Sequence, residues 1–204
     1  MAATHPLIQN VSRETRQRLE AYAELLIRWN RKINLIAKTD LDGIWSRHIA
    51  DSLQLADHIP AQAQSWIDLG SGAGFPALIA AIGLEDRQIP LTLVESDQRK
   101  AAFLREAIRV TETPATVENT RIEHLTPRPF DVISARALAP LSKLLEYAEP
   151  LAHEDTILLF LKGQQLESEL TEAKADWHID HDRVPSRTDS HGAILKIVRF
   201  ARRS

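Results

Sequence analysis

The sequence predicts an α/β fold: a mainly parallel sheet wound with helices, ending in an antiparallel hairpin and preceded by a helical segment. Three observations carry this reading. From residue 66 onward, short apolar runs alternate with helix-like stretches, the mark of strand–helix–strand crossovers. The last two candidate strands are separated only by residues 185–192, too short a link for a parallel crossover, so they form a hairpin. Finally, Trp66-Ile67-Asp68-Leu69-Gly70-Ser71-Gly72-Ala73-Gly74-Phe75-Pro76 runs from an apolar strand through a glycine-rich turn into a helix.

Residues 11–32 read as the first helix. Leu19, Tyr22, Leu25, Leu26 and Trp29 recur at spacings of three and four, giving one apolar stripe, and Ser12 suits its N-cap. A second helix is expected over 41–58, through Ile44, Trp45, Ile49 and Leu53. No glycine–proline linker follows, so segment 1–62 is expected to pack on a core at 63–204 as one domain. Strands are predicted at 66–69, 91–95, 115–118, 131–135, 156–161, 178–184 and 193–200. Helices are predicted at 77–83, 98–110, 141–150 and 164–175, the third stopping at or before Pro150 because proline has no N–H to donate. There is no internal repeat and no low-complexity tract.

At 204 residues, with 44% apolar and 26% charged, the chain has material for one sizeable core. No run of 18 apolar residues occurs, so no membrane helix is expected. Residues 1–10 lack a basic start followed by an apolar stretch, so no secretory leader is expected and a cytoplasmic protein is. The absence of cysteine excludes disulfides, cysteine zinc sites and cysteine nucleophiles. With a net charge of −3, any nucleic-acid contact has to come from a local patch.

Glycine tolerates positive φ and lets a ligand lie against backbone N–H groups. The spacing here is G-x-G-x-G, with Phe75 where a dinucleotide fingerprint has its third glycine. The turn therefore fits a nucleoside cofactor without a pyrophosphate, S-adenosylmethionine first; a purely structural turn is the alternative. Gly70, Gly72 and Gly74 would allow the close approach. Ligands of open parallel sheets bind at the strands' carboxyl ends. Asp68 ends the first strand and can accept from the turn's N–H groups or, through water, from an ammonium. Glu95 ends the second, roughly twenty residues after Gly74, the spacing of an acid that grips a ribose. Its two oxygens can accept from both hydroxyls of a vicinal diol. After the third strand, Ile122 and Glu123 are placed to bracket an adenine. After the fourth, Arg136 sits where cofactor and acceptor would meet.

With that cofactor, the absences become chemical. Methylation of pyrimidine C5 through a cysteine adduct is excluded. The turn Ser134-Ala135-Arg136-Ala137 lacks the proline pair that goes with exocyclic amine methylation. Ring nitrogens and ribose hydroxyls both stay open among nucleic-acid acceptors. Guanine N7 carries an exposed lone pair and needs no base.

Two stretches precede the sheet. Arg28-Trp29-Asn30-Arg31-Lys32-Ile33-Asn34-Leu35 mixes cations, amides and an aromatic; it reads either as a solvated helix end or as a phosphate-contacting surface. Arg47-His48-Ile49-Ala50-Asp51-Ser52 places Arg47 over Asp51 and His48 over Ser52 on a helix; by spacing alone this is an ion pair beside an ordinary histidine.

Taken in order, "WNRKINL", "RHIADS", "IDLGSGAGFP", "VISARAL" and "LKG" resemble the bacterial small-subunit ribosomal RNA guanine-N7 methyltransferase family, also called glucose-inhibited division protein B. The resemblance runs over about residues 20–200. It implies a Rossmann-like methyltransferase fold, S-adenosylmethionine as methyl donor, and N7 of a guanine in 16S ribosomal RNA as acceptor, within the small subunit or its precursor. No metal is implied, and a monomer is expected. By motif, Gly70, Phe75, Ile122, Glu123 and Arg136 match cofactor positions, while Arg47, His48, Asp51 and Ser52 match the motif that lines the cleft. Arg47, His48 and Arg136 are thus the expected catalytic set. RNA contacts are expected of Arg28, Asn30, Arg31, Lys32, Asn34, Arg47, Asp51, Ser52 and Lys162. Phe75, where relatives carry an aliphatic residue, and Glu95, where many carry aspartate, depart from the pattern while keeping its chemistry. A nicotinamide-dependent oxidoreductase, disfavoured by Phe75, and a non-catalytic RNA-binding protein on the same scaffold are the rival readings.

Overall fold

The computed structural model describes residues 5–84 and 87–203; the first four residues of the stretch read for a leader lie outside it. Its centre is a seven-stranded sheet built from β1 (Trp66–Leu69), β2 (Leu91–Val94), β3 (Ala115–Glu118), β4 (Val132–Arg136), β5 (Ile157–Lys162), β6 (Trp177–Pro185) and β7 (Ala193–Arg202). The strand order is β3-β2-β1-β4-β5-β7-β6. The first five are parallel; β7 pairs antiparallel with both β5 and β6, the predicted hairpin. The order reverses between β1 and β4. The loops leaving these neighbours diverge there and open a crevice at their carboxyl ends.

The helices are α1 (Pro6–Gln9), α2 (Arg13–Asn30), α3 (Asp51–Leu53), α4 (Ala77–Gly83), α5 (Gln98–Thr111), α6 (Leu141–Ala148) and α7 (Leu166–Asp176). Short α1, opened by Pro6, is not predicted by periodicity. For α2, Ser12 is the cap, its hydroxyl accepting from Thr15 N at 3.1 Å. Apolar side chains alternate across the sheet. Trp66, Leu91 and Val132 join Leu19, Tyr22, Leu26, Leu78 and Phe103 in one buried cluster. Ile67, Ile133 and Phe160 join Leu144 and Leu170 in a second, on the opposite face. Among the described residues no helix is long and apolar enough to cross a membrane.

The helix predicted over 41–58 is corrected. The chain forms a wide π-helical turn at Ile44–Ala50, the single α-turn α3, and a tight 3₁₀ turn at Gln54–His58. Ile44 and Ile49 are both buried and lie five residues apart, and an i→i+5 turn sets them on one face where an α-helix would not. The same widening removes the expected pairing of Arg47 with Asp51. Smaller shifts have local causes. Helix α6 ends before Pro150, whereas β4 and β5 each run one residue further than predicted and so carry Arg136 and Lys162 into the sheet.

Candidate active site

The turn after β1 is wound tightly. Gly70 has φ +67°, and a Cβ there would come within 2.6 Å of Leu138 Cδ1. Gly72 (φ +55°) faces open space, its nearest neighbour being 3.9 Å from such a Cβ. A side chain at Gly70 would collide with the loop after β4, and one at Gly72 would fill the room left beside the turn.

The acid that pins this turn is Glu95. Buried at the end of β2, its Oε2 accepts from Gly72 N at 2.9 Å and its Oε1 from Asp97 N at 2.7 Å. Each carboxylate oxygen accepts two bonds, so one position on each is left. Asn119 Nδ2 donates to the Glu95 carbonyl at 2.7 Å and fixes the strand end. Asp68, expected to hold the turn's N–H groups, does not. It is fully buried, its Oδ1 accepts from Ser134 Oγ at 2.5 Å, and its Oδ2 has no partner among the described residues. Burial pushes its pKa up to about 7 against the pull of the Ser134 and Ser71 hydroxyls and of Arg136.

A cavity of about 370 Å³ opens above the turn, lined among others by Gly70, Gly72, Glu95, Ile122, Glu123 and Leu138. Glu123 Oε1 accepts from Tyr147 OH at 2.7 Å, and this bond holds its carboxyl below the usual range. Gly74 and Phe75 do not line this cavity, contrary to expectation. A Cβ on Gly74 would meet Leu78 and Leu104, and Phe75 is buried behind the turn. The Phe75 ring serves as a platform instead. His48 stacks on it at 5.0 Å with an interplanar angle of 20°, Arg136 lies over it at 4.8 Å, and Tyr22 meets it edge-on at 5.7 Å.

Arg136 closes β4 and joins the two ends of the site. Its Nη2 lies 3.0 Å from His48 Nδ1 and its Nη1 3.7 Å from Asp51 Oδ2. A guanidinium only donates, so His48 Nδ1 accepts and its proton sits on Nε2. Burial, then the Arg136 charge, hold the His48 pKa below its ordinary value. Asp51 Oδ1 accepts from Gln54 Nε2 (2.8 Å), Ser186 Oγ (3.1 Å) and Thr188 Oγ1 (2.7 Å). The turn between β6 and β7 is thereby tied to the Arg136 partner.

Beyond Arg136 lies a second cavity, of about 470 Å³, lined by Asp51, Arg136, Lys162, Glu169, Ser186 and Gly192 among others. Ala137 and Leu138 line both cavities. Ala137 has φ +50°, a left-handed conformation that costs about 1–2 kcal/mol and is characteristic of functional turns.

Several expected site residues stand elsewhere. The Arg47 side chain is 69% exposed and pairs with Asp40 at 3.5 Å rather than with Asp51. Ser52 is fully buried, which places it beyond the reach of RNA. Asp51 is committed to Arg136 and the hairpin turn rather than offered to a polyanion. Lys162 Nζ donates to Ala139 O at 2.9 Å and pairs with Glu169 at 2.5 Å, so it anchors the loop after β4 in place of a phosphate. Asn30 is buried and its Oδ1 accepts from Leu35 N (2.8 Å) and Ile36 N (3.0 Å), closing the end of α2. Arg28, Arg31, Lys32 and Asn34 are exposed. The three cations border a surface recess beside Trp29 and Glu106. Site roles for Tyr22, Asn119, Leu138, Tyr147, Glu169, Ser186 and Thr188 were not read from the sequence: Tyr22 stood in the apolar stripe of α2 and Leu138 in the VISARAL motif, and the other five stand in no recognisable spacing.

The family model described as "GidB: rRNA small subunit methyltransferase G" matches residues 15–198. A protein named ribosomal RNA small subunit methyltransferase G from Gluconobacter oxydans is 57% identical over 192 residues, covering 94% of this chain and 97% of its own. One of the same name from Parvibaculum lavamentivorans is 50% identical, covering 93% and 85%. Among solved structures, an O-methyltransferase from Bacillus cereus in complex with SAH superimposes with a TM-score of 0.60 at 16% identity, covering 88% of this chain and 91% of its own. A class I S-adenosylmethionine-dependent methyltransferase described as putative, from Listeria monocytogenes, gives 0.62 at 13% identity, covering 93% and 69%.

Proposed function

Because the chain belongs to the GidB family of rRNA small subunit methyltransferases G, we propose that it methylates N7 of a guanine in 16S ribosomal RNA with S-adenosylmethionine as donor. The observation that carries this reading is the pair of cavities meeting at Ala137 and Leu138, one beside the glycine turn and Glu95, the other beside Arg136.

The first cavity suits the cofactor. Glu95 keeps one acceptor position on each oxygen, which matches a ribose diol, while Gly72 leaves room for a sugar against the backbone. Ile122 offers an apolar surface and Glu123 an acceptor for an adenine amino group. When bound, the cofactor supplies a sulfonium methyl group. Transfer of that methyl to the N7 lone pair would need no proton removed from the base.

The residues of the second cavity therefore have to orient the base and need not deprotonate it, which is the near-attack contribution. Neutral His48 and the Phe75 ring hold the Arg136 guanidinium in a fixed plane, and Asp51 balances its charge. Of the expected catalytic set, His48 and Arg136 keep acceptor-side roles; Arg47 is reassigned to the rim. Exposed Arg28, Arg31, Lys32 and Asn34 are the phosphate contacts of this reading. With a net charge of −3, they are few, which favours a folded target in the small subunit or its precursor over bare RNA. We take the enzyme to act in the cytoplasm as a monomer. The buried cluster joining Leu19 and Tyr22 to Leu78 and Phe103 supports treating residues 1–62 and 63–204 as one domain.

Nucleoside mass spectrometry of 16S ribosomal RNA from cells with and without this protein tests the reaction. One 7-methylguanosine should vanish in its absence, and unchanged RNA would overturn the reading. Glu95→Ala should weaken S-adenosylmethionine binding by about 1–3 kcal/mol in a calorimetric titration.

A further inference from the structure

The wall of the second cavity opposite Arg136's platform carries a buried ion pair that the reaction above leaves without a task. Lys162, the last residue of β5, meets Glu169 on α7 with Nζ and Oε2 2.5 Å apart; their side chains are 8% and 17% exposed. The ammonium also donates to Ala139 O at 2.9 Å, and Glu169 Oε2 also accepts from Leu141 N at 2.8 Å. An ammonium has three N–H groups, so one is left over. Glu169 Oε1 accepts no hydrogen bond from any described residue and is not among the fully buried orphan atoms. Both residues line the cavity. Burying two charges is costly unless their remaining lone pairs and protons are satisfied. Here one donor and one acceptor of the same ion pair remain open, held in place by partners they need not release.

We propose that Lys162 and Glu169 read the Watson–Crick edge of the target guanine. This rests on the guanine-N7 reading. The spare Lys162 N–H donates to O6, and Glu169 Oε1 accepts from N1–H and the 2-amino group. On this edge guanine presents an acceptor followed by donors, whereas adenine presents a donor followed by an acceptor. Adenine would set its amino group against the ammonium and its N1 lone pair against the carboxylate. N7 lies on the far side of the ring from N1 and the 2-amino group. A guanine gripped by this pair keeps N7 unengaged, free to meet a methyl donor across the wall of Ala137 and Leu138 that both cavities share. Leu138 and Pro140 supply apolar surface for the ring. Such readout requires the base to be unstacked, the usual situation for sequence-specific RNA recognition and for chemistry on a base.

The test uses small subunits reconstituted with 16S ribosomal RNA carrying guanosine or inosine, which lacks the 2-amino group, at the nucleotide modified in cells. Wild-type protein should lose about tenfold or more in kcat/KM on inosine, because a site built to hydrogen-bond a group rejects the analogue without it. Glu169→Gln should lose a similar factor on guanosine and discriminate little between the two substrates, with S-adenosylmethionine affinity unchanged by calorimetry. A purely structural Glu169 would leave the discrimination intact in the variant, and that result overturns the proposal. So does a wild type that methylates inosine as fast as guanosine, however the variant folds. A wild type that makes no 7-methylguanosine on the guanosine subunits overturns the reading itself.

Discussion

Arg136 shows how one side chain comes to organise a site. Its guanidinium takes its orientation from three different groups: an aromatic face (Phe75), a carboxylate (Asp51) and an imidazole nitrogen (His48). The last works only while His48 is neutral. An unfolded chain protonates such a histidine near pH 6.5, and the folded protein holds its pKa lower. Below about pH 6.5 the unfolded state thus binds more protons, so this contribution to stability is whole above that pH and is lost as pH falls toward the folded value. His58, lowered mainly by burial, adds a slope of the same sign. Denaturant titrations of His48→Gln across this range should show a shallower pH dependence than wild type; equal slopes would contradict the neutral assignment. Glu95 and Arg136 were legible in the sequence because strand-end position and distance from the glycine turn mark them. Glu169 and Thr188 were not, since they reach the site from a helix and a hairpin turn remote in the chain.

Among the elements, α2 does more than cover the sheet. The Tyr22 hydroxyl donates to the carbonyl of Ala73 inside the glycine turn, and the Tyr22 ring packs on Phe75 and Phe103. The helical segment thereby stiffens the loop proposed to hold the cofactor. Tyr22→Phe keeps the packing and strands a buried carbonyl, which should cost about 1–3 kcal/mol in urea unfolding and weaken S-adenosylmethionine binding. Wild-type affinity in that variant would mean that α2 only covers the core. The stripe that built α2 was readable at spacings of three and four. The π-helical turn was not. A five-residue spacing of Ile44 and Ile49 becomes decisive only when both must face one core, and that demand comes from the buried cluster they share rather than from local preference. Across this turn Arg47 is exposed and pairs with Asp40 instead of Asp51.

At the scale of the whole molecule, charge is what matters for a polyanionic target. Net charge is −3, so on the proposed reading affinity for RNA rests on a few local cations. Arg31→Ala and Lys32→Ala should each reduce the slope of log affinity against log salt by about 1, measured as subunit binding at several salt concentrations. Asn30→Ala, in the same stretch, should leave that slope alone and lower stability, because Asn30 caps the chain reversal after α2. The sequence by itself determined the strand–helix crossovers, the hairpin, the glycine turn and the strand-end acid beside it, because these follow from periodicity and from fixed distances along a strand–turn–helix unit. Only the tertiary structure decided which charged groups face the cleft. A polar side chain's role depends on the partners that reach it, and at Asp51, Asn30 and Lys162 those partners arrive through packing and chain reversal that no local pattern encodes.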